Sequence, residues 1–349
     1  MILEERIKAF ATLGRFLGQF GEKQSESNIV IPHNDTFHDR MLHQLQLAQN
    51  HNGWFTNNNL RFACESWSKV LTENNLRQWV DAYKLTPKDP KTIAIIMAGN
   101  VPLVGFHDFL SVLITGNKVL VKLASGDKIL LPLLSDYLTN VAPDFENYIS
   151  FTEKKIENFD AVIATGSNNT ARYFDYYFGK YPNIIRKNRN SIAILSGNES
   201  PEQLDLLAKD IFRYFGLGCR NVSKLYVPDG YNFDSFFNGM YSWKEIIYNN
   251  KYMNNYDYNK AVYLMNSVKL LDNEFLLLKE DEGLSSPIAV IFYEYYKNRS
   301  SLDKRLLKEA DLIQCIVSEG SVPFGETQCP QLWEYADGVD TMEFLLNLS

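Results

Sequence analysis

The chain is expected to fold as an α/β protein around a parallel sheet, on three observations. Between residues 92 and 195, short runs rich in Ile and Val alternate with helix-period segments, the pattern of βαβ units whose sheet is covered on both faces. The first 83 residues carry helical periodicity instead. The length, 349 residues, exceeds one small core and suits roughly two domains.

In chain order, Ile7, Phe10, Leu13, Phe16, Leu17 and Phe20 recur at three- and four-residue steps and predict a first helix with one apolar face. A polar connector over 21–35 follows, then helical patterns over 37–50 and 60–83. Pro87 and Pro90 break the chain there. Strands are predicted at 92–98 (TIAIIMA), 119–123 (VLVKL), 160–164 (DAVIA) and 192–195, the last as the fourth strand of the same sheet. Helices at 101–114, 130–140 and 168–178 connect them, with Gly116 and Asn117 ending the first. A helix over 202–215 precedes a Gly-rich turn, and later strands fall at 223–227, 287–293 and 313–318. The Tyr- and Asn-rich stretch 241–263 reads as an aromatic packing surface with polar loops, and the last thirty residues have no clear period.

Composition narrows the function classes. Hydrophobic residues make up 45% and charged residues 22%, the balance of a globular protein. The 35 Lys and Arg against 42 Asp and Glu leave −7, so a nucleic-acid partner is not expected, since phosphate backbones draw on clustered positive charge. The apolar stretch 93–114 holds Asn100, Pro102, His107 and Asp108, which argues against a membrane span. Glu4, Glu5 and Arg6 stand where a signal peptide needs an apolar run. The four cysteines form no C-x-x-C pair, and neither a metal site nor a disulfide framework is expected. A cytoplasmic location with reduced thiols fits these features.

Four fragments carry residues suited to chemistry. At 164–167 (ATGS) a strand passes into a helix through Gly166 and Ser167. A helix N-terminus offers unpaired N–H groups, and Gly lets a phosphate approach the backbone; an ordinary turn fits the same residues. Asn100 in AGNVP follows a strand end, where open parallel sheets take ligands and an amide can donate to an oxyanion. An Asn-containing turn fits there too. Lys122 lies in an apolar strand, so it either meets a ligand or emerges into solvent at the strand end. Cys219 follows GLG, a turn that can leave a thiol exposed among backbone donors, or else it is an inert small residue. Cys64 and Cys315 read as core, Cys329 as a loop residue, and His107 as a packing histidine.

Taken together, GNVPLVGFHDFLSVLITGNKVLVK (99–122), ATGS and FGLGCRNVSKLYVP (215–228), with a fainter SSPIAVIFY (285–293), resemble the aldehyde dehydrogenase superfamily. The closest branch is its acyl-CoA reductases, the LuxC-type enzymes that supply aldehyde for bacterial luminescence. The resemblance implies a nucleotide-binding parallel sheet, a second α/β catalytic domain and a helical N-terminal segment. The corresponding bounds are 1–88 for the helical segment, 89–200 for the nucleotide-binding domain and 201–325 for the catalytic domain. A tail over 326–349 either returns to the first domain or makes an oligomer contact. It further implies Cys219 as thiolate nucleophile, Asn100 with the Cys219 backbone N–H at the oxyanion, Gly166 and Ser167 against a cofactor pyrophosphate, and Lys122 at the adenosine ribose.

Two departures sharpen the expectation. Members that hydrolyse an acyl-enzyme use a glutamate before the strand that here begins at Ser191; this chain has Arg186-Lys187-Asn188-Arg189-Asn190, with no carboxylate. That favours reduction of a thioester such as acyl-CoA, with CoA as leaving group, over hydrolytic oxidation. The ribose-binding glutamate of NAD-preferring relatives aligns with Ser125 or its neighbours, and its loss leans toward NADPH over NADH. The 186–189 cluster either meets CoA phosphates or is solvated. Carrier-protein thioesters, acyl phosphates and a non-catalytic nucleotide-binding role stay open on the residues, and the resemblance implies a homo-oligomer.

Overall fold

The computed structural model describes residues 1–22, 30–86 and 88–348; Pro87 and the middle of the connector predicted over 21–35 lie outside these. The chain divides into two compact units, Met1–Lys187 with Gln331–Ser349, and Asn188–Pro330.

The first unit opens with α1 (Leu3–Gly18), α2 (Asn34–His51), α3 (Asn57–Val70) and α4 (Glu73–Asp81). On α1 the predicted stripe is buried, while Glu4 and Glu5 lie in its first turn, where negative charge suits the helix dipole. The single helix predicted over 60–83 is two, because Leu71 leaves helical geometry and the Thr72 hydroxyl accepts from Asn75 N to cap a new start. Next come β1 (Thr92–Ile96), α5 (Phe106–Ile114), β2 (Lys118–Lys122), α6 (Leu130–Val141), β3 (Ile149–Phe151), β4 (Ala161–Thr165), α7 (Asn168–Phe178) and β5 (Asn183–Arg186). All five strands are parallel, in the order β3-β2-β1-β4-β5. The N-terminal helices are no separate body: Phe10, Phe16, Cys64 and Trp79 share one core with Ile93, Phe109, Val119 and Leu134.

The second unit holds β6 (Asn190–Ile194), α8 (Pro201–Phe212), β7 (Val222–Pro228), α9 (Phe233–Met240), α10 (Asn250–Met265), β8 (Leu270–Asp272), β9 (Leu277–Glu280), β10 (Val290–Tyr296), α11 (Arg299–Lys308) and β11 (Ile313–Val317). Its sheet runs β11-β6-β7-β10-β9-β8, parallel except for β8. The strand expected to be fourth in the first sheet is therefore β6 of the second, so the first sheet's last strand in the chain is β5, ending at Arg186 rather than near residue 200. Its place in the first sheet is taken by β5, a short strand the sequence pattern hid behind polar ends. The region read as loops over 241–263 is mostly helix, with α10 burying only Tyr252, Tyr256 and Asn259 at steps of four and three.

From Gln331 the chain belongs to the first unit again and ends in α12 (Thr341–Leu346). Tyr335 anchors this return: its hydroxyl lies 2.7 Å from both Trp79 Nε1 and Tyr83 Oη, and Tyr83 donates to Asp340 at 2.6 Å. Among the described residues no helix is long and apolar enough to cross a membrane.

Candidate active site

In the first sheet the strand order reverses between β1 and β4, and open α/β sheets take ligands at the carboxyl ends flanking such a reversal. Register sets three predicted fragments side by side there. Ile96 at the end of β1 is level with Lys122 on one side and Ala164 on the other. Asn100 is exposed in the loop after β1. That loop packs tightly on the one after β2. A Cβ on Gly99 would sit 2.8 Å from Ala124 Cβ, and one on Gly126 would sit 2.8 Å from Gly99 O, so both positions need glycine. Asn52, just past α2, donates to Gly126 O at 3.1 Å, and Asp127 accepts from Leu103 N at 2.7 Å. Burial pushes the Asp127 carboxyl up to about 6 against the pull of that N–H.

Lys122 is the last residue of β2. Half-buried, it donates to Lys154 O at 3.1 Å. Ser125 is exposed, and its carbonyl lies 2.6 Å from His51 Nε2, which must carry the proton to make that bond. Between Lys122 and Asp127 the chain offers no carboxylate, and Asp127 is turned onto Leu103. Ser167 is the N-cap of α7, accepting from Thr170 N at 3.2 Å. Its hydroxyl thus serves the turn, and Gly166 packs where a Cβ would come within 3.0 Å of Phe174 and Thr170. Backbone N–H groups of the first turn are what this helix start offers an anion.

In the second unit, α8 ends at Phe212, earlier than predicted, and Tyr214, Phe215 and Gly216 all take left-handed backbone with φ of 55°, 59° and 73°. Two bulky residues there cost of order 1–2 kcal/mol each, so the surroundings must hold them. Asn221 does so. Its amide donates to Arg213 O at 2.7 Å, Asp210 O at 3.1 Å and Ile211 O at 3.3 Å, and its Oδ1 accepts from Gly218 N at 2.9 Å. Cys219 is exposed and in no disulfide. Its carbonyl accepts from Ser191 Oγ at 2.8 Å. Arg220 donates to Thr327 O and to Cys315 Sγ, each at 3.4 Å. Sequence reading missed Ser191 and Asn221; an Asn two residues past a Gly-x-Gly-Cys turn was the available signal.

The fully buried Asp210 of α8 ties down 325–327, accepting from Gly325 N at 2.7 Å, Thr327 N at 3.0 Å and Thr327 Oγ1 at 2.8 Å. Burial pushes its carboxyl up to about 6, and these donors pull it back. Because the folded value lies above the unfolded one, the folded state holds this proton more tightly. Stability from this group is then greatest below about pH 4 and falls as pH rises to about 6. Asp210→Asn, which cannot ionise, should remove that slope. Its unfolding free energy relative to the parent should shift by about 2–3 kcal/mol between about pH 4 and pH 7 in urea titrations.

Of the remaining thiols, Cys64 is buried and its thiol is pushed up to about 12, Cys315 is buried, and Cys329 is half-buried in a loop. The arginines of the 186–189 cluster are not the solvated or phosphate-facing groups expected. Arg186 is buried against Asp108 at 2.7 Å in the first unit, and Arg189 donates to Ala310 O and Ile313 O in the second. His107 packs between Trp79 and Tyr335 and meets Leu332 O at 2.8 Å.

Aldehyde dehydrogenase 21 from Physcomitrella patens, solved with its product succinate, superposes with a TM-score of 0.65 at 14% identity, over 91% of this chain and 74% of that one. An NADP-dependent enzyme of E. coli gives 0.61 at 12%, over 86% and 70%. The NAD+ complex of an aldehyde dehydrogenase from Bacillus cereus gives 0.57 at 12%, over 87% and 69%. At these identities the likeness is one of fold. No curated protein matches the chain. Residues 31–239 match the model of the family described as acyl-CoA reductase (LuxC). That match spans more than half of the 349 residues, and on it the chain belongs to the acyl-CoA reductase (LuxC) family, an enzyme built on the aldehyde dehydrogenase fold.

Proposed function

We propose that this enzyme reduces an acyl-CoA thioester to the aldehyde through an acyl group held on Cys219, with NADPH as reductant. The observation that carries the reading is an exposed cysteine on a loop where Cys219 C=O accepts from Ser191 Oγ and Gly218 N–H donates to Asn221 Oδ1. The Cys219 thiolate attacks the thioester carbonyl, and the electron pair of the C=O moves to oxygen. The Cys219 backbone N–H is assigned to that oxyanion, and the resemblance implies the Asn100 amide as a second donor. Its collapse expels the CoA thiolate, which takes up a proton, and leaves the acyl group on sulfur. NADPH, when bound, supplies the hydride that this acyl carbon needs. The Cys219 thiohemiacetal then breaks its C–S bond, releasing aldehyde and restoring the thiolate. No carboxylate stands at 186–190 to activate water, so the acyl group is kept for reduction.

The residues present fit a phosphorylated dinucleotide. Lys122 supplies a cation at the end of β2, and the first turn of α7, entered through Gly166 and Ser167, supplies N–H donors for a pyrophosphate. An exposed Ser125, with Asp127 turned inward, puts no negative charge against a 2′-phosphate, which favours NADPH over NADH.

Following NADPH oxidation with acyl-CoA, acyl-carrier protein and acyl phosphate tests the donor. Turnover with acyl-CoA is expected; turnover with only one of the others would replace CoA in this reading. Asn100→Ala should lower the rate about a hundredfold or more, about 3 kcal/mol of lost oxyanion stabilisation. Near-normal turnover by that variant would remove Asn100 from the oxyanion site.

A further inference from the structure

The nucleophile loop carries a device beyond the thiol itself. Three hydrogen bonds constrain the consecutive peptide groups around Cys219. Gly218 N–H donates to Asn221 Oδ1 at 2.9 Å, Gly218 C=O accepts from Asn221 N–H at 2.9 Å, and Cys219 C=O accepts from Ser191 Oγ at 2.8 Å. A trans peptide is planar, with its C=O and N–H pointing in opposite directions. Holding Gly218 C=O toward Asn221 therefore turns the Cys219 N–H, in the same plane, away from Asn221. Holding Cys219 C=O fixes the next plane as well, so neither peptide can rotate to swing that N–H aside.

The holding groups are themselves anchored. Asn221 is 2% exposed, and its amide is seated on three carbonyls at the end of α8. Ser191 is fully buried on β6. There the pairing with β7 slips by one residue: Ser191 is level with Val222, but Ile192 with Lys224. Such a bulge re-aims the residues beside it. The strained run at Tyr214, Phe215 and Gly216 leads into the same loop.

We infer that Ser191 and Asn221 are positioning residues that set the direction of the Cys219 backbone N–H as an oxyanion donor. The inference rests on the reading of Cys219 as the acylated nucleophile and names the part of that site which no side chain facing the substrate supplies. An acyl transfer places charge on a carbonyl oxygen, whereas alkylation by iodoacetamide displaces iodide and places none there. The two reactions at one sulfur thus separate donor placement from thiol reactivity.

The test compares wild type, Ser191→Ala, Asn221→Ala and Ser191→Thr. Acylation is timed by intact mass without NADPH, using whichever member of an acyl-CoA chain-length series acylates the wild type fastest, and alkylation by iodoacetamide is timed in parallel. Ser191→Ala should slow acylation about 10- to 100-fold while alkylation stays within about twofold. Ser191→Thr, which keeps the hydroxyl, should recover most of the loss. Asn221→Ala should show the same split more strongly; if it fails to fold, the Ser191 pair decides alone. Unchanged acylation in Ser191→Ala, or equal loss in both reactions, would overturn the assignment. A wild-type thiol that alkylates but takes no acyl group would instead overturn the thioester reading, and the assignment with it.

Discussion

Cys219→Ala should abolish aldehyde formation while leaving the protein folded. Without the sulfur there is no covalent acyl intermediate, and hydride would have to reach an unactivated thioester. The expected loss is at least about ten-thousandfold, roughly 5–6 kcal/mol of transition-state stabilisation. Because Cys219 is exposed, its truncation leaves no cavity, and stability should change by less than about 0.5 kcal/mol. NADPH oxidation and a thermal melt on the same sample measure both. A variant that kept more than about a hundredth of the wild-type rate would remove Cys219 from the chemistry.

Arg186→Ala should produce the largest loss of stability. The guanidinium is 5% exposed at the end of β5 and donates to Asp108 Oδ1 at 2.7 Å, to Ala336 O at 2.9 Å and to Thr341 Oγ1 at 2.9 Å. Removing it strands the buried Asp108 carboxylate and takes donors from two groups in the returning C-terminal segment. Breaking a buried pair from one side costs about 3–5 kcal/mol. The Arg186 carbonyl also accepts from Gly166 N at 3.3 Å, so the loosening should reach the turn beside Ser167. Urea unfolding reads the energy, and hydrogen exchange at 166 and 335–341 reads its location. A change under about 1 kcal/mol would mean that the pair and the return are not the ties described.

Much of this architecture could be read before any coordinates. The βαβ alternation from 92 to 178 matches β1, α5, β2, α6, β4 and α7, because strands buried on both faces are written in Ile and Val and their helices in a 3.6-residue period. The short, exposed edge strand β3 carries no such signal and was missed. What failed was non-local. The strand at β6 looks like the next in line, and nothing in its own residues says that its partners are β7 and β11. Arg186 sits among basic neighbours and reads as surface; its carboxylate partner lies far away on α5. The helix α10 (Asn250–Met265), which covers most of the 241–263 stretch, was obscured because so few of its residues are buried.

The candidate residues fared according to what each needed. Cys219 was expected to be exposed after its Gly turn, and it is. Lys122 ends β2 half-buried, neither in the core nor fully in solvent, and donates to Lys154 O. Ser167 proved to be a helix cap, since a hydroxyl at that position answers the first-turn N–H groups whatever else is bound. Ser191 and Asn221 were missed because they bond to backbone atoms of other residues; only the spacing of Asn221 from the Gly-x-Gly-Cys turn hinted at it.

Mixing the intact enzyme with acyl-CoAs of a range of chain lengths in the absence of reductant and weighing it tests the central claim most directly. One acyl group should appear, map to Cys219 by peptide analysis, and leave as aldehyde when NADPH is added. A protein that gains no acyl mass from any thioester, although iodoacetamide labels Cys219, would contradict the account.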